Sequence, residues 1–91
     1  MPRISDDWKK SPDGRCLTAE YVMKDFMAAV DLIHLMALEA EALDHHPDIH
    51  LTGYRKLGIE LSTHATGGLT EKDYLLAAKI DTLPKRLRSG G

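Results

Sequence analysis

Apolar and polar residues alternate from Cys16 to Met23. Leu17, Ala19, Tyr21 and Met23 fall on one side; Cys16, Thr18, Glu20 and Val22 fall on the other. A period of two is that of a strand with one covered face. The same alternation returns downstream, where Leu57, Ile59, Leu61 and Thr63 are set against Lys56, Gly58, Glu60 and Ser62. Ser11-Pro12-Asp13-Gly14 is a strong turn signal: Pro suits the first central position of a type I turn, and Gly accepts the positive φ that follows. It joins the strand in Arg15 to Met23 to a weaker one in Ile4 to Lys10, predicting a hairpin. A shorter strand around Ile49 to Tyr54 predicts a second hairpin with the strand that begins near Leu57.

Between the hairpins the period changes. Lys24 to about Leu43 contains no Gly or Pro and is dominated by Ala, Leu, Met and Glu, which predicts a long helix. Its apolar set is wide: Phe26, Val30, Ile33 and Ala37 mark one face, while Leu32, Leu35, Met36 and Leu43 extend to a second. The polar residues are confined to a narrow stripe near Lys24, Asp31, His34 and Glu41. One apolar face can pack on a sheet; the other is left for a subunit contact, so a homodimer or homotetramer through this helix or a sheet edge is expected. Thr66-Gly67-Gly68 reads as a loop, and Thr70-Glu71-Lys72-Asp73 has capping-box spacing with Asp in place of Glu. Tyr74, Leu75, Ala77, Ala78, Ile80 and Leu83 then describe a second amphipathic helix, stopped by Pro84. The order ββαββα predicts an α+β fold: a four-stranded antiparallel sheet with two helices packed on one face, as a single domain over residues 1–91.

Composition narrows the function classes. The 91 residues are 43% hydrophobic and 29% charged with a net charge of −2, which gives no electrostatic case for nucleic-acid or anionic-membrane binding. The basic tail Lys85 to Gly91 reads as a frayed terminus rather than a nucleic-acid arm. No run approaches the roughly 18 apolar residues of a membrane span, and the start lacks the apolar run of a signal peptide. Cys16 is the only cysteine, which suits a reducing cytosol and a cytoplasmic location.

The candidate chemistry lies in Glu41-Ala42-Leu43-Asp44-His45-His46-Pro47 and in Ser62-Thr63-His64. A Pro directly after two His residues ends a helix there, so the pair belongs at a helix exit, where side chains can point into a pocket. Histidine is the side chain best suited to moving protons near neutral pH. Pro47 keeps His46 and His50 off a common helical face and no Cys lies near, which argues against a metal site. Cys16 has no evident activating partner in sequence, and no Ser stands in a nucleophile-elbow context. His34 and His50 receive no role.

These residues resemble the signature of the pterin-4a-carbinolamine dehydratase family. It reads here as Glu41, three residues, His45-His46-Pro47, six residues, Tyr54, nine residues, His64, eight residues, Asp73. Lys24-Asp25-Phe26, Ala40-Glu41, Leu61-Ser62-Thr63-His64 and Gly68-Leu69-Thr70-Glu71-Lys72-Asp73 match as well, so the resemblance spans roughly residues 8 to 81. Trp8 is similar to an early Trp of the family. An N-terminal helix carried by many members finds no clear counterpart here, and Ile49 stands where an aromatic residue is common, which implies a looser pocket wall.

The resemblance implies dehydration of a 4a-hydroxytetrahydropterin to quinonoid dihydropterin, with neither metal nor redox cofactor, in tetrahydrobiopterin recycling beside an aromatic amino acid hydroxylase. It implies His45 and His64 as the acid/base pair and His46 as a substrate-holding histidine. Asp44, Ser62, Thr63 and Ala65, beside these histidines, correspond to positions lining the pterin pocket. Glu41 stands one helical turn from His45 and can orient or charge-stabilise a histidine. Asp73 has a capping role and a direct active-site role open to it, and the two are compatible. The family also holds members that act as dimerisation cofactors of a transcription factor or assist assembly of other enzymes. A non-catalytic binding factor on the same scaffold is therefore the alternative.

Overall fold

A computed structural model describes residues 3–63 and 67–88. Six elements follow in the order ββαββα: β1 (Lys9–Lys10), β2 (Leu17–Val22), α1 (Phe26–Leu43), β3 (Asp48–Thr52), β4 (Lys56–Leu61) and α2 (Glu71–Thr82). The strands form one antiparallel sheet in the order β1-β2-β4-β3. Both expected hairpins are present, and β2 and β4, the two strands of strict alternation, pair with each other in the centre, Leu17 opposite Leu61 and Tyr21 opposite Leu57. The α+β architecture is thus the one the periodicities predict.

Alternation sets the core. Leu17, Ala19 and Tyr21 of β2 and Leu57, Ile59 and Leu61 of β4 are buried on one face, where both helices cover them. The helix α1 contributes Ala28, Ala29, Leu32, Met36 and Ala40, and α2 contributes Leu76, Ala77 and Ile80. The alanines let the helix backbone approach the sheet closely, while Leu32 and Met36 fill the space between, each contributing about 1.5–3 kcal/mol by burial. The opposite side of α1 carries Phe26, Met27, Val30 and Leu38 in solvent, so of the two apolar faces expected of this helix the one through Phe26 and Val30 is uncovered and the one through Leu32 and Met36 is buried.

Local chemistry explains the boundaries. Asp25 caps α1, its carboxylate accepting from the Ala28 N–H at 2.8 Å. The helix ends where Asp44 turns left-handed (φ 51) and its N–H reaches back to the carbonyls of Ala40 and Glu41. The Ser11 to Gly14 turn closes as expected, with the Gly14 N–H on the Ser11 carbonyl at 2.9 Å and a φ of 72 at Gly14. Trp8 is buried and its Nε1 donates to Asp81 at 3.0 Å, tying the start of the chain to α2.

Two expectations need correction. The first strand is only Lys9–Lys10, because Ile4 to Trp8 instead folds toward Asp81, which accepts from the Ser5 backbone and hydroxyl. The basic tail is not frayed through residue 88. The Lys24 N–H donates to the Arg86 carbonyl, the Arg88 N–H to the Val22 carbonyl, and Met23 pairs with Leu87 as an isolated bridge. Backbone groups where β2 ends need partners, and this segment supplies them. Arg86 also pairs with Asp31, and the Lys85 ammonium lies 5.5 Å from the Tyr21 ring centroid.

Candidate functional site

The left-handed turn at Asp44 throws the next two histidines onto different neighbours. His45 turns inward. Its N–H holds the Ala40 carbonyl at 3.0 Å, and its ring Nε2 lies 2.6 Å from Oδ1 of Asp73. The His45 side chain is 11% exposed and Asp73 is fully buried. His46 turns outward and pairs with Glu41, both side chains well exposed. Glu41 was expected one helical turn before His45. The break in the helix gives it the following histidine instead.

Asp73 stands in the first turn of α2, and its second oxygen is as fully engaged as its first. Oδ2 accepts from the Thr63 hydroxyl at 2.6 Å and from the Thr70 N–H at 2.9 Å. The Thr63 and Thr70 hydroxyls also lie within 2.9 Å of each other. Both roles open to Asp73 are therefore filled by one side chain: it caps the helix with Oδ2 and holds His45 with Oδ1. Burial pushes its carboxyl upward, but the hydrogen bonds from Thr63, His45 and the Thr70 N–H outweigh that and keep it below the usual carboxylate range. Asp73 is consequently ionised near neutral pH and can only accept. The proton on the shared bond belongs to Nε2 of His45, and Nδ1 is the nitrogen left for chemistry.

Asp44 is exposed, its backbone spent on the helix cap. Ser62 and Thr63 are half-buried where β4 ends; Thr63 and Gly68 exchange backbone hydrogen bonds at 3.2 Å. Beside them a cavity of about 190 Å³ is lined by Arg15, Cys16, Glu60, Ser62 and Thr63. His64 and Ala65 lie outside the described residues. Ile49 pairs with Ile59 and packs against the core.

Thr70 was read from the sequence as a helix cap alone and Cys16 as a thiol without a partner; Arg15 and Glu60 were not singled out. The Thr70 to Asp73 spacing was a usable signal for the first. Nothing local announces the others, which meet only through the β2–β4 register. Among the described residues, no three His, Cys, Asp or Glu side chains group as metal ligands. No helix among them is long and apolar enough to cross a membrane.

Comparison with known proteins identifies a family for the chain. The family profile described as pterin 4 alpha carbinolamine dehydratase matches residues 2–83. A Saccharolobus islandicus relative named for that family is 42% identical over 81 residues, covering 89% of this chain and 81% of the relative. The mitochondrial pterin-4-alpha-carbinolamine dehydratase 2 of Arabidopsis thaliana is 49% identical over 61 residues, which are 67% of this chain and 33% of that longer one. The crystal structure of a transcriptional coactivator/pterin dehydratase from Brucella melitensis is similar at a TM-score of 0.76 and 36% identity, covering 82% of this chain and 79% of that one. A pterin dehydratase-like protein identified as a RuBisCO assembly factor in the alpha-carboxysome has a TM-score of 0.69 at 17% identity, over 89% of this chain and 93% of that one, a likeness of fold alone.

Proposed function

This chain belongs to the pterin 4 alpha carbinolamine dehydratase family, and we propose that it dehydrates a 4a-hydroxytetrahydropterin to quinonoid dihydropterin by histidine acid/base catalysis. The observation that carries this reading is the part-buried His45–Asp73 pair with Thr63 and Thr70 behind it. The C4a hydroxyl is a poor leaving group until it takes a proton and departs as water. The N5 electron pair drives that departure, and the N5 proton must then be removed. One positioned acid and one positioned base each contribute on the order of 10²–10⁴-fold.

His45 supplies one of these through Nδ1. The ionised Asp73 fixes the ring and its tautomer and faces the charge when Nδ1 carries a proton. His64, directly after Thr63 in the chain, supplies the other. His46, steadied by Glu41, holds substrate, and Asp44, Ser62, Thr63 and Ala65 border the pterin. An aromatic amino acid hydroxylase, which would produce this carbinolamine, is the partner in the pathway.

Stopped-flow decay of a 4a-hydroxytetrahydropterin at neutral pH, with and without protein, tests the proposal. Acceleration over the uncatalysed reaction is expected; a folded protein that leaves the decay unchanged would refute it.

The uncovered side of α1 supports a homo-oligomer. Phe26, Met27 and Leu38 are each more than half exposed, and β3 is an edge strand with open hydrogen-bonding groups. A chain this short buries a limited fraction of its surface alone. Leu38→Glu should therefore shift the mass measured by light scattering toward the monomer; an unchanged mass would place the contact elsewhere, the β3 edge being next. The same stripe favours the second reading, a binding factor on this fold. Capture of a partner that needs Leu38 but neither His45 nor His64, by a protein inert toward the carbinolamine, would select it.

A further inference from the structure

The His45–Asp73 pair is the end of a longer run of hydrogen bonds. Beyond Asp73 the run continues to the Thr63 hydroxyl at 2.6 Å and from there to the Thr70 hydroxyl at 2.9 Å. Its members come from three places in the chain: His45 lies just past α1, Thr63 just past β4, and Thr70 and Asp73 open α2. Both threonines are half-buried.

One charge sets the direction of every proton along this run. Asp73 is ionised and can only accept, so Thr63 must donate to Oδ2. A hydroxyl carries one proton. Across the 2.9 Å contact Thr63 can therefore only accept, and the Thr70 hydroxyl is the donor. The opposite polarity would set two lone pairs against each other at 2.6 Å. Protons thus point one way from Thr70 through Thr63 to Oδ2, while the His45 Nε2–H meets Oδ1 from the other side.

This arrangement bears on the histidine in two ways. It orients the carboxylate, because Oδ2 is held by the Thr63 hydroxyl and by the Thr70 N–H at 2.9 Å, which turns Oδ1 to the ring. The backbone under the Thr63 hydroxyl is itself fixed by two hydrogen bonds with Gly68. It also tunes the carboxylate. A donor on Oδ2 draws off charge and makes Oδ1 a weaker acceptor. A second hydroxyl donating to the first strengthens that pull, since hydrogen bonds in series polarise one another. Among the described residues the Thr70 hydroxyl makes no hydrogen bond to His45, so whatever it does to the ring passes through Thr63.

Resting on the dehydratase reading for the reaction served, we infer that Thr70 is a positioning residue, whose hydroxyl acts through that of Thr63 on Asp73 and so on His45. Thr70→Val replaces the hydroxyl with a methyl and keeps the backbone N–H that Asp73 accepts. Thr70→Ser restores the hydroxyl. Thr63→Val removes the intermediary.

Two readouts are taken on each folded protein. The first is the proton resonance of His45 Nε2–H, identified by its loss in His45→Ala, and it needs no substrate. The second is steady-state dehydration. Thr63→Val should move the resonance downfield, because a carboxylate relieved of one donor grips the ring N–H more strongly. It should also lower kcat roughly ten- to hundredfold with KM nearly unchanged. Thr70→Val should move the resonance the same way by less and lower kcat about threefold, and Thr70→Ser should restore both. In the Thr63→Val background Thr70→Val should change neither readout, as a residue acting through another requires. A loss of capping at Thr70 lowers the urea midpoint equally in both backgrounds, which separates the structural share. An unmoved resonance in Thr70→Val, a Thr70 effect undiminished without the Thr63 hydroxyl, or a raised KM in place of the kcat loss would overturn the assignment. A resonance that moves as expected in a protein without dehydratase activity would keep the positioning role and refute the reaction; activity with an unmoved resonance would do the reverse.

Discussion

Asp73→Asn should lower the rate of carbinolamine dehydration by roughly 10²–10⁴-fold while the protein stays folded. The carboxylate accepts three hydrogen bonds, from His45 Nε2, the Thr63 hydroxyl and the Thr70 N–H. An amide of the same shape has one acceptor oxygen and one donor nitrogen. If the oxygen keeps the Thr63 and Thr70 bonds, the nitrogen faces His45 and forces its proton from Nε2 to Nδ1. The ring can then neither take up a proton at Nδ1 nor have its charged form balanced by an ionised carboxylate. A variant with unaltered kcat would mean that the His45 tautomer is irrelevant to the chemistry.

Asp73→Ala separates the structural share. It removes the cap, about 0.5–2 kcal/mol, and leaves buried donors unpaired at about 1–3 kcal/mol. Against a total stability of about 5–15 kcal/mol, a combined loss on the order of 2–4 kcal/mol should appear as a much lower urea midpoint. The pH dependence follows from the direction of the shift. Asp73 titrates lower in the folded protein than in the unfolded chain, so its stabilisation is complete above the unfolded carboxylate value of about 3.9. It is lost as pH falls through the lower folded value. Urea midpoints of the unaltered protein should therefore drop on acidification more steeply than those of Asp73→Asn. Parallel slopes would contradict the assignment of an ionised buried carboxylate.

The second large effect is expected from the two histidines proposed as acid and base, changed together. His45→Ala and His64→Ala should each slow dehydration by roughly 10²–10⁴-fold, and the double change should bring the rate near the uncatalysed one. The fold should survive, because His45 lies outside the buried core formed by β2, β4 and the helices. His45→Ala leaves Oδ1 of Asp73 without its partner, which costs about 1–3 kcal/mol and lowers Tm by several degrees in a domain of this size. Circular dichroism on the same samples distinguishes lost chemistry from lost structure. Full activity in the folded double variant would remove both residues from the mechanism.

Much of this architecture can be read from local pattern, since it is enforced by local pattern. A strand with one covered face must alternate, and Leu17 to Val22 and Lys56 to Leu61 do so with little ambiguity. A helix needs a cap, and the Thr70 to Asp73 spacing announces the one that α2 uses. The weak first strand was legible only as weak. Its residues are held by Asp81, more than seventy positions away in the chain. The docking of residues 86–88 beside Met23 was invisible for the same reason: a short basic tail looks solvated until an unpaired strand end is placed next to it.

The candidate site divides the same way. That His45 and His46 stand at a helix exit follows from Pro47 and needs no tertiary knowledge. That Asp73 can cap α2 follows from its distance to Thr70. The sequence by itself therefore determined the elements, the covered faces, the cluster of histidines and carboxylates, and the family. Only the tertiary structure decided which carboxylate meets which histidine, because a left-handed residue at position 44 rotates the pair and sends His45 to Asp73 and His46 to Glu41. It also decided that Arg15, Cys16 and Glu60 share one cavity with Ser62 and Thr63. Spacing along a chain specifies directions within one element; contacts between elements depend on register and packing, and those are properties of the assembled core.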